Sequence, residues 1–222
     1  MAEHVLDLSA RFIDSGRVDS PPNRVTHELS EIADGVALVE AFSHVVVVST
    51  DDGLVAFDSS GPASGGRVLD SLRQWNSEPF HTLVYTHGHI DHVGGSSAFA
   101  QDAESSGRPV PRVIGHENLS PRLRRYRATN GYNKVINARQ FGGLPASTLS
   151  GANSNKPFVP EGTLEPVVDY RHTMTDEIGG IEFQLHHALG ETDDHTWTWI
   201  PQHRMISAGD QFIWNFPNCG NP

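Results

Sequence analysis

Thr86-His87-Gly88-His89-Ile90-Asp91-His92-Val93-Gly94-Gly95 follows directly on the apolar stretch Thr82-Leu83-Val84-Tyr85. The apolar stretch reads as a strand, and Gly94-Gly95 opens a helix running toward Ala103. Within the six residues from His87 to His92 the loop offers three imidazoles and one carboxylate. These are ligands suited to Zn²⁺, and also to Fe or Mn. Alternate side chains of an extended chain point the same way. His87 and His89 can therefore share one ion while Asp91 and His92 turn toward a second. A solvated polar loop has no need of such a set behind a buried strand.

Outward from this run the chain alternates strands and helices. Val45-Val46-Val47-Val48 is continuously apolar, Asp51-Asp52-Gly53 turns, and Leu54-Val55-Ala56-Phe57 returns, which is a hairpin containing a buried strand. Val68, Leu69, Leu72 and Trp75 have helical spacing and predict an amphipathic helix over 67–75. A strand is expected at 110–114, then a helix capped by Ser120, with Pro121 at its first position and its end near Asn130-Gly131. Residues 140–166 are rich in Gly, Pro, Ser and Asn and read as a long loop of the kind that often carries function. Strands resume at 174–178 and 181–186, joined by Gly179-Gly180, and again at 196–200 and 205–207. The order indicates an α/β domain.

The chain has 222 residues, enough to bury a core without disulfides, and it reads as one domain over 1–222. Its single cysteine, Cys219, has no partner within the chain. No apolar run approaches the ~20 residues that span a bilayer. The N-terminal Met1-Ala2-Glu3-His4-Val5-Leu6-Asp7 lacks the continuous apolar segment of a secretory signal. These features predict a cytoplasmic protein with no membrane contact. Acidic residues outnumber basic ones by 27 to 16, a net charge of −11. Nucleic acid is thereby disfavoured as a partner, and a small-molecule substrate is expected. The one basic cluster, Arg122, Arg124, Arg125 and Arg127, reads as a solvated helix face.

The histidine run resembles, residue for residue, the Thr-His-x-His-x-Asp-His-x-Gly-Gly signature of the metallo-β-lactamase superfamily. Phe57-Asp58-Ser59-Ser60-Gly61 resembles the family's early strand ending in Asp-x-Gly, with one residue of departure. Gly190-Glu191-Thr192-Asp193-Asp194-His195 resembles its Gly-His-Thr-x-Gly-His segment, and Ser207-Ala208-Gly209-Asp210 its Gly-Asp turn. The resemblance implies an αββα sandwich with the ligands gathered at one sheet edge. It implies two ions, with His87, His89 and His195 on one and Asp91, His92 and Asp210 on or near the other. Asp210 bridges them and Asp58 supports the ligands from behind. The family's sixth ligand, a histidine in a later Gly-His pair, has no counterpart in 211–222. The resemblance therefore implies a domain incomplete at its C-terminal end, or a second ion held by fewer side chains.

Two adjacent divalent ions, Zn²⁺ by this reading, lower the pKa of a shared water and clamp a substrate oxygen, so the implied chemistry is hydrolysis by a metal-bound hydroxide that Asp91 orients. The segments around Gly190 to Trp197 and Gly209 to Trp214, with Gly131-Tyr132-Asn133, are most similar to the alkylsulfatase-like branch. That branch carries glutamates where this chain has His195 and Asp210, and it includes homodimers. A sulfate ester, carboxylic ester or lactone is the implied substrate. The same fold also hosts β-lactam hydrolases, mono-iron redox enzymes of the persulfide dioxygenase type, and catalytically dead metal-binding modules. From the residues themselves, the phenol, amide and guanidinium of Tyr132, Asn133 and Arg139 are candidates to orient an anionic or ester headgroup beside the metals.

Overall fold

The structure, a computed structural model, describes residues 2–140 and 155–212. Cys219 and residues 141–154 of the expected long loop lie outside them. Helix α1 (Val5–Ser15) buries Leu8 and Phe12, four residues apart on one stripe. Strands β1 (Leu29–Ala33), β2 (Val36–Val39), β3 (Val45–Thr50) and β4 (Gly53–Phe57) then form an antiparallel meander. Three further strands, β5 (Phe80–Val84), β6 (Arg112–His116) and β7 (Val168–Tyr170), extend it in parallel to a seven-stranded sheet. Between them run α2 (Gly65–Trp75), the one-turn α3 (Ile90–Val93), α4 (Ser96–Ser105), α5 (Leu119–Ala128) and α6 (Asn130–Gln140). The rest of the chain builds an antiparallel sheet from β8 (Thr173–Ile178), β9 (Ile181–Ala188), β10 (His195–Ile200) and β11 (Met205–Ser207), in the order β11-β10-β9-β8.

The period of two in the strands explains the layers. Val45 and Val47 of β3 and Leu54 and Ala56 of β4 face Val68, Leu72, Phe99, Leu119 and Leu123 of the helices. Their neighbours Val48, Val55 and Phe57 point the other way, against Ile178, Phe183, Leu185 and Ile200 of the smaller sheet. A strand buried on both faces has no polar side to show, and hence β4 is buried along its whole length. The expected sandwich is thus present, with two facing sheets and a helical layer on the larger one. Among the described residues no helix is long and apolar enough to cross a membrane.

Several local expectations are corrected. The N-terminal helix and the first hairpin, β1 and β2, were not anticipated: charges interrupt the apolar residues of α1 and β1, and β2, though wholly apolar, is only four residues long. The helix after β6 starts at Leu119 with Asn118 at the cap position, so Ser120 lies inside its first turn. Its end at Ala128 gives way at once to α6, so Tyr132, Asn133 and Arg139 are helical and do not lie on a loop. Arg122 is not solvated: its side chain is 4% exposed and paired with acids of the loop before β10. The described part of 140–166 is anchored in the core, with Phe158 edge-on to Tyr126 at 5.3 Å and the Leu164 carbonyl accepting from the Tyr85 hydroxyl at 3.1 Å.

Because β4, β5 and β6 are parallel, their C-terminal ends lie together, with Phe57 opposite Val84 and Val84 opposite Ile114. The two sheets meet at the same edge, where the Thr196 amide donates to the Thr86 carbonyl at 2.6 Å. The buried Tyr170 hydroxyl donates to Thr196 Oγ1 at 2.7 Å, tying β7 to β10. Replacement of Tyr170 by Phe should cost about 1 kcal/mol, the usual worth of one such bond. A urea midpoint lowered with the m-value unchanged would check it.

Candidate metal centre

The site grows from the buried carboxylate of Asp58, directly after β4. Asp58 and Ser60 adopt left-handed backbone conformations, φ 64° and 57°, unusual for residues with a side chain. Asp58 Oδ1 accepts from the Thr86 amide at 2.8 Å, while Oδ2 accepts from Thr86 Oγ1 at 2.8 Å and from His92 Nδ1 at 2.7 Å. A carboxylate only accepts, so the Thr86 proton is committed to Asp58 and its oxygen is left to accept from His87 Nδ1 at 3.1 Å. Both imidazoles therefore carry a proton on Nδ1 and turn Nε2 toward the cleft, where His87 Nε2 lies 2.9 Å from His89 Nδ1. The Ser59 amide and hydroxyl both donate to the His92 carbonyl, fixing the short turn of α3.

Two triads of donor atoms converge on these nitrogens, the atoms of each lying within 4.8 Å of one another. One comprises His87, His89 and Glu191, with Glu191 Oε2 at 3.2 Å from His87 Nε2 and 3.0 Å from His89 Nδ1. The other comprises His87, His92 and Asp210, with Asp210 Oδ1 at 3.4 Å from His92 Nε2. Gly209 makes the latter approach possible: its φ is +52°, and a Cβ there would lie 2.6 Å from Thr86 Cβ. Asp91 lies at the mouth, its Oδ2 3.5 Å from His92 Nε2 and held by Ser43 Oγ at 2.5 Å.

His195 is completely buried and stacks on His87, with ring centroids 5.0 Å apart, but neither triad includes it. Its place beside His87 and His89 is taken by Glu191, which sequence reasoning passed over. A signal was present. Aligned on the family segment Gly-His-Thr-x-Gly-His, Glu191 stands where the first histidine is written, and a carboxylate can replace an imidazole as a ligand. The remaining expected residues are not drawn to the cluster by any hydrogen bond or ion pair described. The Asn133 side-chain amide donates to the Tyr126 carbonyl and Thr129 Oγ1, both at 3.0 Å, and so fastens α6 to the last turn of α5. Tyr132 is 67% exposed and Arg139 is exposed at the end of α6. His116 and His187 stack face to face at 3.9 Å and belong to neither triad, and His187 Nε2 meets the Asp193 carbonyl at 3.0 Å.

The donor set fits a divalent cation. His89 Nε2, His92 Nε2 and both ring nitrogens of His195 are buried without a hydrogen-bond partner. Buried polar atoms are rarely left so unless an ion or water completes them. The electrostatics agree. Burial disfavours the His92 charge, yet the carboxylates of Asp58, Asp91 and Asp210 outweigh it and hold the pKa well above the ordinary imidazole value. Burial and the neighbouring His92 push His87 well below that value.

Residues 38–213 match the family model of the metallo-beta-lactamase superfamily. The chain belongs to that superfamily. It is 23% identical over 171 residues to a linear primary-alkylsulfatase of Pseudomonas sp., a match that covers 74% of this chain and 32% of the other. A shorter match, 29% over 82 residues, covers 36% of the chain and 23% of the 2,4-dinitroanisole O-demethylase subunit alpha of Nocardioides sp.. Among solved structures, a subclass B3 metallo-beta-lactamase of Bradyrhizobium japonicum superposes with a TM-score of 0.56 at 17% identity, over 79% of this chain and 57% of that one. The inverting sec-alkylsulfatase Pisa1 of Pseudomonas sp. gives 0.55 at 19%, over 79% and 30%. The chain thus spans about a third of the length of the alkylsulfatases it matches.

A cation in the second triad needs His92 Nε2 without its proton. Metal uptake by the metal-free protein should therefore release about one proton, and apparent affinity should weaken as pH falls through the raised His92 pKa. Metal titration in a weakly buffered indicator solution reads both effects.

Proposed function

We propose that the chain is the metal-dependent hydrolase domain of a longer enzyme, acting on a sulfate ester or on a carboxylic ester or lactone, with two Zn²⁺ ions as cofactor. The observation that supports this reading most is the convergence of His87, His89 and Glu191 with His92 and Asp210 in a cluster where His89 Nε2, His92 Nε2 and both ring nitrogens of His195 are buried without a hydrogen-bond partner. Six side chains would hold the ions: His87, His89 and Glu191 on one, His92, Asp91 and Asp210 on the other, with His195 packed behind His87. Divalent ions held there would supply Lewis acidity toward the scissile ester and a lowered pKa for a bound water.

The chain's own residues supply the rest. Asp91, with Oδ2 held by Ser43, keeps its other oxygen to accept a hydrogen bond from the attacking water and aim it. Asp58 and Thr86 hold the Nδ1 protons of His87 and His92 and so make Nε2 of each ring the atom offered to a metal. Large apolar side chains stand exposed in the segments that carry the site: Phe42 beside Ser43, Leu189 two residues before Glu191, and Phe212 two after Asp210. That suits an ester with an apolar group. The similarity over 171 residues to a linear primary-alkylsulfatase supports the sulfate-ester alternative. Tyr132 and Arg139 remain the candidates to meet an anionic headgroup.

Metal quantitation on the purified protein, run with a panel of alkyl sulfate, lactone and β-lactam substrates, tests the proposal. Zinc with ester turnover is the expected result, whereas iron with oxygen consumption would replace the reading by the redox one. Glu191→Gln should lower zinc affinity by about 100-fold or more, beyond the loss typical of residues that only support a ligand, with activity falling in step. Arg139→Ala should raise KM for an alkyl sulfate and leave zinc content intact.

A further inference from the structure

Two loops from distant parts of the chain carry the donor atoms, and one buried ion pair lies between them. Asp194 is wholly buried, and Arg122 of α5 is nearly so. Arg122 Nε donates to Asp194 Oδ1 at 3.1 Å, while Asp194 Oδ2 accepts from the backbone amide of Gly88 at 2.9 Å. Gly88 is the residue between His87 and His89. The fit leaves no room for a side chain there: a Cβ on Gly88 would lie 2.8 Å from Arg122 Cδ and 2.8 Å from Asp194 Oδ2. The other guanidinium nitrogens reach the Asp193 carboxylate and, at 3.3 Å, the Tyr126 hydroxyl. Thr192 Oγ1 also donates to Asp194 Oδ1. The pair thus joins α5, the His87-Gly88-His89 turn and the segment 191–195 that presents Glu191.

We infer that Arg122 and Asp194 are positioning residues that set the distance between the His87/His89 turn and Glu191, and with it the geometry of the first metal position. This rests on the metal reading proposed above. The physical argument concerns what each group needs. A buried carboxylate and a buried guanidinium are costly unless each is paired and hydrogen-bonded, and replacing such a pair by apolar groups of similar size is often neutral or stabilising for the fold. The pair is therefore not required for a core at this place. What an apolar pair cannot supply is an acceptor for the Gly88 amide, and without that acceptor the turn between two ligands is no longer held toward Glu191. The planar, multidentate guanidinium suits the site because its Nε and Nη atoms bind Asp194 and Asp193 at once.

The test uses Co²⁺, whose visible absorption reports coordination geometry, with the whole chain. Wild type, Arg122→Met/Asp194→Leu, and Arg122→Lys are compared by metal-free melting temperature, by Co²⁺ affinity against a competing chelator, and by the Co²⁺ spectrum. The double variant, which keeps side-chain shape while removing both charges, should melt close to wild type when metal-free. It should bind Co²⁺ about 10- to 100-fold more weakly, the range found when a partner behind a ligand is lost, with an altered spectrum. Arg122→Lys, which still gives Asp194 a cation and so preserves its bond to Gly88, should recover most of the affinity and the wild-type spectrum. A double variant with wild-type affinity and spectrum would overturn the inference. So would a lysine variant as weak as the double variant, since the loss would then belong to packing and not to the Asp194 acceptor. If wild type itself takes up no Co²⁺, the metal reading fails and takes this inference with it, an outcome distinct from failure of the clamp alone.

Discussion

A single buried carboxylate organises the site. Asp58 is almost fully enclosed, and an anion in that position is tolerated only because donors surround it: one backbone amide, one hydroxyl and one imidazole. Satisfying it has consequences along the chain. The donors all come from the segment after β5, so the C-terminal ends of β4 and β5 must lie together, and the backbone at residues 58 and 60 adopts conformations that side chains disfavour. In return the protons of His87 and His92 are directed away from the cleft. The accumulation of carboxylates around His92 follows from the same arrangement, and a cation is the natural counter-charge once that imidazole gives up its proton.

The smaller sheet contributes what the larger one lacks. It delivers Glu191 and Asp210 on the segments flanking β10 and β11, and a backbone hydrogen bond between Thr196 and Thr86 ties it to the larger sheet's edge next to His87. Sheet packing and ligand spacing are therefore one problem. Phe57, Val84 and Ile114 packed against Phe183 and Leu185 set the distance between layers. The Arg122–Asp194 pair and the close approach of Gly209 to Thr86 set the final ångströms. A site assembled this way has its donors on the short segments just beyond the strand ends, while Asp91, held by Ser43 from the β2–β3 connection, stands at the solvent side where a substrate would arrive.

Much of this was legible in the residues alone. The histidine run, its place after an apolar strand, the β3–β4 hairpin, the α2 helix and the four strands of the smaller sheet all follow from local patterns of burial and turn chemistry. Periodicity is a local property, so it survives without tertiary context. Other elements were not legible: β1 and β2 owe their structure to strand pairing at the edge of the larger sheet, and α1 to packing against β1. The run of arginines in α5 shows the same limit from the other side. Four similar side chains look equally solvated in sequence, and only the approach of Asp194 from 72 positions away selects Arg122 for burial.

The sequence by itself determined the superfamily and singled out His87, His89, Asp91, His92, His195 and Asp210 as candidate donors, because their types and spacing lie within short motifs; the fold brings His87, His89, His92 and Asp210 into two donor clusters. It did not determine which residue of the Gly190 to His195 segment comes within reach of His87 and His89. Glu191 and His195 are both capable ligands four residues apart, and the choice depends on how that segment enters β10. In the folded chain His195 is already the first residue of the strand and turns under Gly190 against the His87 ring, whereas Glu191 is still in the loop and free of the sheet's register, so its carboxylate can swing to the two imidazoles.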